Sequence, residues 1–185
     1  MEIIKLNWRK RFFSNTWSIY RDNKQIGVIE RSSFFSRKAT AEINGKKYEF
    51  RDKRIFYSTK VEVIDMPANN LIGKIQINFS KGSAYIRTGN EVSVLEVINQ
   101  WGSKFALHNQ AGLKALYNGT FTDTSGKIET NKEDEINLLS GLYIYTVYSR
   151  IGWTFLIVFL IGILVLAGLT IFTDLPIWDV LNWIF

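Results

Sequence analysis

Few residues in this sequence can do chemistry, and their spacing removes most of the options. The single histidine, His108, precedes Asn109 and Gln110 in an expected turn. A catalytic imidazole needs a nucleophile and an orienting carboxylate within hydrogen-bond reach, and the sequence places neither beside it. His108 therefore reads as a solvated turn residue. The chain has no cysteine, which excludes disulfides, thiolate metal sites and a cysteine nucleophile. Walker-type loops, dinucleotide fingerprints, paired metal-binding histidines and nucleophile elbows are absent too. Asp134 and Glu135 are adjacent acids at an expected helix start, where carboxylates more often cap than catalyse. The expectation is a protein with no enzymatic activity, no metal and no cofactor.

Charge is the chemistry that remains. The net charge is +6, and the densest basic run is Lys46-Lys47-Tyr48-Glu49-Phe50-Arg51-Asp52-Lys53-Arg54. On a strand, Lys47, Glu49 and Arg51 share one face while Tyr48 and Phe50 take the other. Lys46 and Lys47 beside a hairpin, with Arg51, Lys53 and Arg54 at the far end, could engage the phosphates of anionic lipid headgroups. These five residues form the candidate ligand site; the alternative is a solvated strand face. A second basic group, Arg31, Arg37 and Lys38, surrounds Phe34 and Phe35 in a loop whose aromatic tip could dip into an interface or fold inward.

The elements that must position these residues are strands. From Trp17 to about Asp123 the apolar period is two, not 3.6. Asn44-Gly45, the dipeptide suited to a type I′ turn, separates Ala39–Ile43 from Lys47–Phe50. Thr59–Ile64, Leu71–Phe79, Ser83–Thr88, Glu91–Val97, Lys104–Leu107 and Leu113–Tyr117 follow at short spacing, and Gly119–Thr122 is the last strand expected. With a possible strand in Glu2–Trp8, about 10 to 12 strands point to an antiparallel barrel or sandwich. Closure into a barrel would also remove the edges that invite aggregation.

Two helical segments follow. Asn131 through Glu135 supplies an N-cap candidate and an acidic first turn. The run Ile136–Tyr148 is apolar on every side yet too short to cross a bilayer, so a central helix over 134–149, buried in the barrel of an all-β domain at 1–149, explains it best. A merged long helix is the rival. No charged residue then lies between Arg150 and Asp174. A helix over 151–173 would be about 35 Å long at 1.5 Å per residue, enough for a transmembrane span. Trp153, Trp178 and Trp183 sit where interfacial aromatics are expected. The tail 174–185 reads as a short amphipathic, interfacial segment. Lys127, Lys132 and Arg150 precede the span and no Lys or Arg follows it. Together with a charged start that lacks a secretory apolar run, this predicts a single-pass protein of the cell membrane, N-in and C-out, its bulk cytoplasmic. An anchored basic domain suits an anionic leaflet better than nucleic acid, which is not expected as a partner.

In sequence texture the chain resembles the superfamily of the tubby C-terminal domain, the phospholipid scramblases and the LURP-one-related proteins. The residues that carry the likeness are Trp17-Ser18-Ile19-Tyr20-Arg21-Asp22, Val61-Glu62-Val63-Ile64-Asp65 with Leu71-Ile72-Gly73-Lys74-Ile75, Trp101-Gly102-Ser103-Lys104-Phe105-Ala106-Leu107, and the acidic helix start at Asp134-Glu135. The resemblance covers about residues 1–149. It implies a closed barrel around a hydrophobic axial helix, and headgroup binding through basic residues on neighbouring strands. The added anchor departs from the family plan, and no dense acidic loop of the kind calcium dependence would need is present. The expected function is non-enzymatic: a membrane-anchored barrel binding anionic lipid headgroups or a lipid-like ligand at the cytoplasmic surface. The alternative is a structural or accessory subunit whose barrel and anchor dock onto a larger membrane protein complex, with the transmembrane helix or the tail as a contact for a membrane protein partner.

Overall fold

The computed structural model describes residues 3–11, 14–33, 36–55, 58–99, 103–120, 124–131 and 134–173. Twelve antiparallel strands close into one barrel. They are β1 (Ile4–Lys10), β2 (Thr16–Arg21), β3 (Lys24–Glu30), β4 (Lys38–Ile43), β5 (Lys46–Ile55), β6 (Ser58–Asp65), β7 (Asn70–Asn78), β8 (Ser83–Thr88), β9 (Glu91–Val97), β10 (Lys104–Asn109), β11 (Gly112–Gly119) and β12 (Ser125–Thr130). Each pairs with its sequence neighbours, and β1 closes the ring on β12 with Leu6 opposite Ile128. The expected all-β closed barrel is therefore the architecture, and no strand edge is left open.

Alternation decides the inside. Leu6 and Trp8, Trp17 and Ile19, Phe50, Val61 and Val63, Ile75 and Ile77, Phe105 and Ile128 are all buried. Each large apolar side chain taken out of water contributes about 1.5–3 kcal/mol. The Asn44-Gly45 turn has both residues at positive φ, 49° and 81°, as a type I′ hairpin demands. The last strand differs from expectation. β11 runs on to Gly119, and the closing strand is Ser125–Thr130, whose one large apolar residue, Ile128, carries too weak an alternation to be read. Gly126 on this strand is required by packing, because a Cβ there would collide with the Trp8 indole.

The helix α1 runs without interruption from Glu135 to Thr173, so the short apolar run and the uncharged run belong to one helix. Its N-cap is Asp134 rather than Asn131: the Asn137 N–H donates to Asp134 Oδ1 at 3.2 Å, while Asn131 is tied by its amide groups to β11. The chain forms two compact units, divided after Ser149. Within the first unit the helix lies along the barrel axis. Leu139, Leu142, Tyr143 and Ile144 are fully buried. Tyr143 stacks on Phe50 of β5 with ring centroids 4.5 Å apart, Tyr145 meets Trp8 of β1 at 5.0 Å and Phe105 of β10 at 5.5 Å, and Tyr148 meets Phe79 after β7 at 5.7 Å. Contacts to strands on several sides place this segment inside the barrel.

In the second unit the apolar stretch is not a core helix. Leu156 through Leu160 and Ile163 through Val165 are 45–71% exposed, and the helix is long and apolar enough to cross a membrane. The tail 174–185, with Trp178 and Trp183, lies outside the described residues.

Candidate functional site

The five basic residues singled out from the sequence do not converge. Strand β5 rises about 3.3 Å per residue, so Lys46 and Arg54 stand roughly 26 Å apart. Lys46, at the β4–β5 hairpin, donates to Glu135 Oε2 at 2.8 Å, and Asn44 Nδ2 donates to the other oxygen at 2.9 Å. The bond to Glu135 holds the Lys46 ammonium above its ordinary pKa. Lys47 lies 3.8 Å from Glu42. Arg51 is paired with Glu49, which Lys38 also approaches at 3.8 Å. Lys53 donates to Glu62 at 2.6 Å, and that hydrogen bond leads the causes that keep Glu62 below the usual carboxylate range. The side chain of Arg54 lies outside the described residues. Every described member of the cluster thus has a carboxylate neighbour, and together they form a ladder of exposed ion pairs. Such pairs contribute little stability, about 0–1 kcal/mol each.

The second basic group divides as well. Arg31 is buried, its guanidinium 4.5 Å from the Tyr143 ring centre with Nη1 donating to the Ser36 carbonyl at 3.2 Å. Arg37 and Lys38 are exposed, while Phe34 and Phe35 lie outside the described residues. His108 is not in a turn. It sits on β10, next to a β-bulge that breaks the register with β11.

The barrel sorts charge by end, which strand-by-strand reading of the sequence missed. At the end where α1 begins, the described connections are Asp22-Asn23, Asn44-Gly45, Met66–Asn69, Gly89-Asn90, Gln110-Ala111, Asn131 and Asp134; their charged residues are the two aspartates. At the opposite end the described charged residues of the connections are Arg11, Arg31, Arg37 and Lys81, with no acid among them. Arg11, Arg37 and Lys81 are exposed and make no ion pair among the described residues. The chain passes Tyr148 at this basic end, where its hydroxyl donates to the carbonyls of Asn78 at 3.2 Å and Ser83 at 3.4 Å beside the β7–β8 turn. The signal was present in the sequence as the residues at alternate turns, but it becomes legible only once the strand order says which turns share an end.

Comparison of the chain with protein families, curated proteins and solved structures returns no match.

Proposed function

We propose that this chain is a non-enzymatic, membrane-anchored β-barrel of tubby/scramblase-like plan that meets anionic lipid headgroups through its basic end. The observation that carries the reading is the asymmetry of the two barrel ends. Arg11, Arg37 and Lys81 stand exposed at the end where the chain leaves the barrel for its uncharged run. A cation close to an anionic leaflet contributes about 1 kcal/mol, and that attraction fades within a Debye length of about 10 Å at 0.1 M salt. The β5 strip is a weaker candidate, because its charges are already matched by Glu135, Glu42, Glu49 and Glu62. A filled barrel axis supports surface contact over uptake of a lipid-like ligand into the lumen.

The test is hydrogen exchange of the full chain in nanodiscs of phosphatidylcholine alone or with added phosphatidylserine. Backbone amides at Arg37 and at Ser80–Gly82 should exchange more slowly with the anionic lipid, and 0.5 M salt should remove the difference. Equal exchange in both bilayers would refute headgroup contact at this end and favour the accessory-subunit reading.

A further inference from the structure

The cations of β5 are matched by carboxylates, but the strands beside it carry cations that are not. Lys60 on β6, Lys74 on β7 and Arg87 on β8 alternate with the buried Val61, Ile75 and Ile86, so they point out from the barrel wall. All three are exposed, and none forms an ion pair among the described residues. The register brings them together. Lys74 stands directly opposite Arg87 across β7 and β8. Lys60 stands opposite Gln76, two positions from Lys74 on the same face, so the Lys60–Lys74 diagonal is about 7–8 Å. Lys60 also faces Lys53 across β5 and β6.

Like charges directly opposite in a sheet are destabilising, and this wall holds two such pairs. The acid that adjoins them, Glu62 opposite Lys74, already accepts the hydrogen bond of Lys53 at 2.6 Å. The acids outside the described residues adjoin β1, β12 or α1 in the sequence, not β6–β8. The wall therefore keeps a local excess of positive charge.

An apolar step borders the cations. Val92, 40% exposed, is opposite Arg87, and Tyr85, 47% exposed, is opposite the half-buried Val94. Tyr85 and Arg87 share the outer face of β8. Tyrosine and arginine are among the side chains that carry most of the binding energy at protein interfaces.

We propose that this wall docks an acidic segment of a partner protein, its carboxylates set against Lys60, Lys74 and Arg87 and an apolar side chain laid on Tyr85 and Val92. Charge complementarity sets the sign of the partner. The apolar step favours a polypeptide over a layer of headgroups, which offers charge with no apolar side chain beside it. The ring is closed, so the segment is held by side chains and not by strand addition. The wall is distinct from the basic end, and docking here does not depend on headgroup contact there.

The experiment places the full chain in phosphatidylcholine nanodiscs and titrates it into a fluorescently labelled peptide. The first and third residues of the peptide are glutamate and the fifth is leucine, so all three share a face when it is extended. A control peptide has glutamine in place of glutamate. Fluorescence anisotropy should saturate with a Kd below about 1 mM for the acidic peptide and not for the control. Lys74→Gln and Arg87→Gln should each raise that Kd about fivefold, and added salt should raise the parent's. Both variants should melt no lower than the parent, because each relieves a like-charge pair, which separates lost binding from a lost fold. Lys5→Gln removes the same charge from β1, six strands from β7 around the ring, and should bind like the parent. Equal binding of the two peptides, an unchanged Kd in both Lys74→Gln and Arg87→Gln, or an equal loss in Lys5→Gln would overturn the proposal. Displacement of the bound peptide by phosphatidylserine vesicles, and not by phosphatidylcholine vesicles, would assign the wall to lipid and overturn it as well.

Discussion

Two stretches of α1 face different surroundings, and their compositions diverge accordingly. Asn137–Val147 is buried among strands and contains Ser140, Gly141, Tyr143, Tyr145 and Thr146, with Thr146 Oγ1 donating to the Tyr143 carbonyl at 2.7 Å. Leu156–Val165 is exposed and is almost wholly Leu, Ile, Val and Phe. Both are apolar on every side. The first must match the shapes that face it: Gly141 exists where the Tyr117 ring lies against the helix, and the Tyr117 hydroxyl donates to the carbonyls of Asn137 at 3.2 Å and Leu138 at 3.3 Å. The second is long and free of charge, which is all that a bilayer would demand of it, since lipid tails offer no fixed shape to fit. Burial in protein selects individual residues, whereas a bilayer would select only a composition.

The largest effect should come from placing one carboxylate in each stretch. Leu139 is fully buried, so Leu139→Asp puts an unpaired acid on the barrel axis at a cost of about 3–5 kcal/mol. That is a large share of the roughly 5–15 kcal/mol that holds a domain of this size together. The full chain in detergent should lose its strand circular dichroism or melt far below its parent. Leu160→Asp, at a position 50% exposed, should leave barrel melting untouched. It should instead cost about 2.5–3.5 kcal/mol of membrane insertion, read as alkaline extraction from membranes. Parental melting of Leu139→Asp would mean that this stretch does not fill the barrel.

A middle-sized effect separates shape from propensity. Alanine is better than glycine in a helix by about 1 kcal/mol, so a substitution judged by propensity alone should stabilise both stretches. At Gly141 the new methyl would meet the Tyr117 ring, and overpacking of about 1–3 kcal/mol should outweigh the propensity gain. At Gly162 nothing stands within 4 Å of a new Cβ. Gly141→Ala should therefore lower the barrel's melting temperature, while Gly162→Ala leaves it unchanged or slightly raised. Equal shifts at both glycines would remove the distinction.

This contrast also explains what the sequence could disclose. Strands with two or three large apolar residues at alternate positions, such as Val61 and Val63 or Ile75 and Ile77, announce themselves, and turns such as Asn44-Gly45 fix their ends. So does an uncharged run from Arg150 to Asp174. β12 escaped because Ile128 stands nearly alone and its neighbour Gly126 exists to admit a tryptophan from β1, a contact 118 residues away in sequence. The β5 basic run looked like a site because its partners Glu135, Glu42 and Glu62 come from other elements. Lys114, which pairs with Glu91, sits at a slip in the register of β10 with β11, and nothing in Leu113-Lys114-Ala115-Leu116 marks it. Periodicity reports what a strand does by itself; closure of the ring decides what meets.

The smallest effect is electrostatic and again divides the two regions. Glu91 is hydrogen bonded by Lys114 and Asn109, and those bonds hold its pKa in the folded chain below the unfolded value of about 4.3. A carboxylate depressed in this way stabilises the fold fully above its unfolded pKa, and the contribution is lost as the pH falls through the lower folded value. Its side chain is 41% exposed, so solvent screens the pair and the contribution stays below about 1 kcal/mol. Other carboxylates titrate over the same interval, which makes the useful quantity a difference. The melting temperature of the parent minus that of Glu91→Gln should be largest near pH 7 and shrink towards zero below about pH 4. Added salt should reduce it at neutral pH. From Ile151 to Thr173 the helix carries no ionisable residue, so resistance of this stretch to extraction from membranes should not change between pH 4 and 8. A Glu91→Gln difference of the same size at pH 3.5 and pH 7 would mean that the pair contributes through packing and not through charge.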